Sequence, residues 1–114
     1  MAVKLNEEAL THARDLVKKG SVVHDERDDW SDDAPSTDEQ NDFIEREGWH
    51  EYGLWHLGID TDENEETKAR YSFPYGDFSK VHRCAVISLE SRAAQNDHDD
   101  IATSTKNLLK LIDS

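Results

Sequence analysis

One cysteine, Cys84, is all the sequence has. That excludes an internal disulfide and a cysteine-rich zinc site, and it suits a reducing cytoplasm. No apolar run approaches the ~18 residues of a membrane span. The opening stretch, MAVKLNEEAL, holds no apolar core of signal-peptide length, so the chain reads as cytoplasmic. Basic residues are scarce: 13 Lys and Arg stand against 26 Asp and Glu, a formal net charge of −13. Such a chain repels phosphate backbones and anionic membrane surfaces, so neither is an expected direct partner. Basic proteins and divalent cations are the natural counter-partners, although solubility alone also explains an acidic surface. Apolar residues are few as well. At 35% of 114 residues they suffice for one modest core in a single domain spanning 1–114.

What is present reads mainly as helix. Asn6 is placed to cap a first helix over LNEEALTHARDLVKKG, with Glu7 and Glu8 at its positive end, Lys18 and Lys19 at its negative end and Gly20 as a left-handed stop. Val22 and Val23 suit a short strand or extended arm. The acidic stretch from about Asp25 to Pro35 reads as a mobile loop, with Trp30 as an anchor. Ser36 and Glu39 match a capping box and predict a helix from Thr37 to Glu47. The dense WHEYGLWHLG predicts a short helix interrupted at Gly53 and closed by Gly58. Pro74 biases Phe73 toward extended backbone and keeps Tyr71–Tyr75 out of a helix; Gly76 and Asp77 read as a turn. Apolar spacing predicts a helix from Ser79 to Gln95, closed by Asn96. A last helix carries Ile101, Thr105, Leu108, Leu109 and Ile112 on one stripe, and the two pack as a hairpin. The expected architecture is therefore mainly α: a small bundle of four or five helices, with irregular connectors and room for one short strand pair.

No chemistry-bearing motif is complete. HEYGLWH resembles a zinc-protease helix, but that motif needs histidines four apart, and position 54 is leucine. Asp60, Asp62 and Asn64 alternate as in a calcium loop, yet Glu65 and Tyr71 stand where glycine and glutamate are required. Cys84, close to His82 and Arg83, falls on an apolar stripe and reads as a small core residue rather than a nucleophile. Neither a nucleophile elbow nor a phosphate-binding glycine loop is found. The expectation is no cofactor, no metal and no catalytic residue.

Charge is unevenly placed. From Thr67 to Gln95 there are five basic residues and two acids, whereas His24–Glu66 holds 17 acids and two arginines. One reading packs the basic helix beside the acidic loop. The other makes Lys68, Arg70, Tyr75, Asp77, Lys80, His82 and Arg83 a docking surface, with aromatics and flanking cations of the interface type.

The elements WHLGID, TKARYSFPYGDFSKVHR, SRAAQ and LLKLID make the C-terminal half similar to a small module of uncharacterised bacterial and phage proteins. Some of those proteins lie near or are joined to head-maturation (prohead) proteases. The run Lys68–Asp77 followed by Val81, His82 and Arg83 carries the resemblance best. It implies a compact helical accessory domain and no activity. The expected function is thus a non-catalytic, monomeric accessory module of prophage type that binds a protein partner. The alternatives are an acidic nucleic-acid mimic acting through His24–Glu66, or a small hydrolase using His82 with a carboxylate such as Asp77.

Overall fold

Asn6 sets the frame of the chain. Its Oδ1 accepts from the Ala9 amide and caps α1 (Glu7–Lys18), as its sequence position suggests. Its Nδ2 donates to the carbonyls of Gly53 (3.0 Å) and His56 (3.2 Å), and its backbone amide donates to Leu57 (2.8 Å). One side chain thereby starts a helix and ties it to a segment 50 residues away. The computed structural model describes residues 3–26 and 29–114, without the side chains of Ser31 and Asp33.

After β1 (Val3–Leu5) and α1 come β2 (Val22–Val23), a helical turn α2 (Trp30–Asp33), α3 (Thr37–Glu47) and α4 (Trp49–Gly53). They are followed by β3 (His56–Asp60), a 3-10 turn (Lys68–Arg70), β4 (Tyr71–Pro74), β5 (Val81–His82), α5 (Arg83–Gln95) and α6 (Asp99–Ile112). β1, β3 and β4 form an antiparallel sheet with β3 in the centre, pairing Leu5 with Gly58 and Gly58 with Ser72. β2 and β5 pair in parallel, Val22 beside Val81.

The expected helical bundle is therefore overturned: this is an α+β fold built on a three-stranded antiparallel sheet. The main error lies at WHEYGLWHLG. Its helix ends at Gly53, and His56–Asp60 becomes the central strand, with His56, Leu57, Gly58 and Asp60 all buried. A central strand covered on both faces loses the alternation that would mark it. Gly58 permits the close pairing. A Cβ there would lie 2.5 Å from Ser72 Oγ and 2.7 Å from Phe73 Cδ2.

Smaller corrections follow from tertiary contacts. Phe73 is not extended before Pro74 but sits at φ 59°, with its ring buried and edge-on to His98. α5 starts at Arg83 rather than Ser79. Asp77 Oδ1 accepts the amides of Ser79 and Lys80, and the Val81 amide donates to Ser21, which commits 77–82 to a turn and a strand. Asp97, not Asn96, takes the left-handed position after α5, at φ 60°. The His98 amide then reaches the Ala93 carbonyl at 2.9 Å, closing the helix end.

Other expectations hold. Ser36 and Glu39 form the capping box of α3. Gly20 stands at φ 79°, with Ser21 N–H donating to Leu16. α5 and α6 pack together after a three-residue link. Leu108, Ile101 and Ile112 are buried, Leu109 half-buried. The core joins α1, α5 and α6 to Trp55, Leu57, Phe73 and Tyr75.

Candidate functional site

Among the described residues, two places hold unusual chemistry. The first lies where β2 and β5 run side by side into α5. The His82 ring sits between two carboxylates: Nδ1 is 2.7 Å from Asp25 Oδ2, and Nε2 is 2.7 Å from Asp77 Oδ2. The side chains of His82 and Asp25 are each 7% exposed, and the Trp30 ring lies 5.5 Å from the imidazole. Carboxylates flanking both nitrogens favour an imidazolium that donates twice. Burial pulls the His82 pKa down, but hydrogen bonds to Asp77 and Asp25 outweigh it and the net shift is upward. Burial pushes Asp77 up, and its bonds to His82 and to the Lys80 and Ser79 amides bring it below the usual carboxylate range. A doubly donating ring has no lone pair for general-base work.

Asp25 has a second task. α5 has no side-chain cap from His82, its own N-cap residue. Asp25 Oδ1 instead accepts the Cys84 amide at 2.8 Å, capping the helix from 59 residues away. The stretch read as a mobile loop is thus held at Asp25 and forms a helical turn at Trp30–Asp33; Arg27 and Asp28 lie outside the described residues.

The second place is an open cleft of about 530 Å³ between the start of α1, α4 and the 3-10 turn. Trp49 and Tyr71, both half-buried, line it together with the exposed carboxylates Glu8, Glu65 and Glu66. His50 Nε2 pairs with Glu8 at 2.8 Å on the surface. Arg70 lines it too, but is already engaged: Nη1 donates to the Glu63 carbonyl at 2.9 Å, and the guanidinium lies 5.9 Å from the Tyr71 ring centre.

The seven residues singled out from sequence do not share one exposed face. Tyr75 is fully buried. Its ring stacks on Trp55 at 5.4 Å. Its hydroxyl donates to the Leu54 carbonyl at 2.6 Å and lies 2.7 Å from His12 Nδ1. An exposed patch built on Tyr75 is therefore ruled out, because the surplus of aromatics at 71–78 serves the core. Arg83 makes a two-pronged contact with Asp113, Nε to Oδ1 at 2.8 Å and Nη2 to Oδ2 at 3.0 Å. Asp77 and His82 close on each other. Lys80 is exposed, Lys68 and Arg70 half-buried.

Sequence reasoning missed Asp25, because its partners are 57 and 59 residues away. It also missed the cleft, whose wall residues come from four separate segments. Arg70, singled out from sequence for a docking surface, does line the cleft, and Trp49 is a large aromatic beside a glycine at the start of a short helix. No protein-family model matches this chain, and neither a curated protein nor a solved structure matches it.

Proposed function

We propose that this protein is a non-catalytic interaction module that seats a basic segment of a partner protein in the cleft between α1, α4 and the 3-10 turn. The observation that carries this reading is the cleft's lining: two aromatic rings, Trp49 and Tyr71, beside the carboxylates of Glu8, Glu65 and Glu66. Aromatic faces and carboxylates together favour lysine and arginine side chains, through cation–π attraction and charge-assisted hydrogen bonds. The net charge of −13 adds long-range attraction for the same partner and repels nucleic acid. The resemblance of the C-terminal half to modules near head-maturation proteases is compatible with an accessory role and supplies no activity.

The test is titration with a hexa-arginine peptide, followed through Trp49 fluorescence, using Trp49→Phe to assign the signal against Trp30 and Trp55. Glu65→Gln combined with Glu66→Gln is expected to weaken binding about tenfold or more, since each charged contact contributes roughly 0.5–1 kcal/mol or above. Asp38→Asn combined with Asp42→Asn on α3 removes equal charge outside the cleft and is expected to change little. Equal losses from the two double variants would sink the cleft as the site. They would favour the alternative, a whole-surface acidic mimic.

A further inference from the structure

We propose that Asp25, His82 and Cys84 form a binding site for one zinc ion, which fastens the segment after β2 to the start of α5. One carboxylate oxygen, one ring nitrogen and the sulfur lie within 4.8 Å of one another. The cysteine is fully buried, and the other two side chains are each 7% exposed. Oxygen, nitrogen and sulfur donors together suit zinc. Calcium and magnesium take oxygen cages, and copper(I) prefers sulfur-rich ones. Carboxylate and thiolate balance the charge of the ion.

The surroundings orient these ligands. Asp77 holds the Nε2–H of His82 at 2.7 Å. Once the Nδ1 proton has left, the tautomer that keeps the Nε2 proton offers its Nδ1 lone pair on the Asp25 side to a metal, which is the carboxylate–histidine–metal pattern. The Ser79 and Lys80 amides fix Asp77 in turn. Asp25 can ligate through Oδ2 while Oδ1 keeps its bond to the Cys84 amide. Zinc would replace the Nδ1 proton. Bonds of about 2.0–2.1 Å to nitrogen and oxygen and about 2.3 Å to sulfur require that the Nδ1–Oδ2 distance open by roughly 0.6 Å. The balance is simple: Zn²⁺ enters, the Nδ1 and thiol protons leave to solvent, and nothing is oxidised or reduced. Water completes the coordination.

The experiment titrates metal-free protein with Co²⁺ and then Zn²⁺. The expected result is one equivalent of cobalt, with a near-ultraviolet sulfur-to-cobalt charge-transfer band that zinc abolishes. Cys84 is the sole thiol, so the band in the unaltered protein assigns the ligand even if a Cys84 variant fails to fold. Cys84→Ala is expected to lose the band and the rise in melting temperature on adding zinc. Asp77→Asn is expected to keep the band but bind about 10–100-fold more weakly. No thiolate band in the unaltered protein, or zinc held as tightly by Cys84→Ala, would mean an adventitious ion on surface acids only and would overturn the site.

Discussion

His56 is expected to be the point at which mild acid weakens this fold. It lies on the central strand, 6% exposed. Its Nδ1–H donates to the Tyr52 carbonyl at 2.9 Å, and the Tyr52 ring lies 4.5 Å away. Burial disfavours the charged ring and pulls its pKa from 6.5 to about 4; the Tyr52 carbonyl opposes this only in part. The folded pKa is depressed and the ring stays neutral while the unfolded chain takes up a proton. Its full stability is therefore present above about pH 6.5 and is lost as pH falls toward 4. A shift of this size is worth about 3 kcal/mol once both states are protonated, and about 2 kcal/mol already at pH 5. His82 works the other way. Its raised pKa means that the contribution of its bonds to Asp25 and Asp77 is complete below 6.5 and fades as pH rises through the folded value.

The assay must therefore isolate His56. Urea melts of the wild type and of His56→Asn, which retains a donor for Tyr52, are compared at pH 7 and pH 5. The stability difference between the two proteins is expected to shift by about 2 kcal/mol in favour of the variant at the lower pH. Equal pH dependence, or a His56 ring signal that titrates near 6.5 by NMR, would refute the reasoning.

Leu108→Ala removes a side chain only 1% exposed and is expected to cost about 2–5 kcal/mol in urea melts, more than Leu109→Ala at its half-buried neighbour. Tyr75→Phe deletes the hydroxyl between Leu54 and His12. A loss of about 1–3 kcal/mol is expected, and a neutral result would mean that water replaces it. Gly58→Ala forces a Cβ against Ser72 and Phe73 and is expected to cost about 1–3 kcal/mol, read as a lower melting temperature.

Local signals were readable in the sequence wherever the physics is local. Asn6, the Ser36–Glu39 box, Gly20 and the α6 stripe all name their own helices, because caps and apolar spacing act within a turn or two. β3 was hidden because Trp49, Tyr52, Trp55 and His56 mimic helical spacing, and a strand buried on both faces shows no alternation. The sheet depends on pairing residues 3–5 with 58–60, which no short window contains. Between β5 and α5, His82 and Asp77 were legible as neighbours, but Asp25 was not. For the cleft, the acidic excess was visible and its location was not.

The pairing of β1 with β3, and the bond from the Leu5 amide to Asp100 Oδ2 at 3.0 Å, have a consequence for synthesis. Translation delivers β1 first, yet its strand partner comes some 50 residues later and its tie to α6 comes 95 residues later. The segment must leave the ribosome with its hydrogen-bonding edge bare and wait. Long-range closure of this kind slows folding through loop entropy. It also exposes an unpaired strand in the interim. In this chain the exposed piece is only three residues long and carries Lys4. That shortness limits what a neighbouring nascent chain can grip while α6 is still being made.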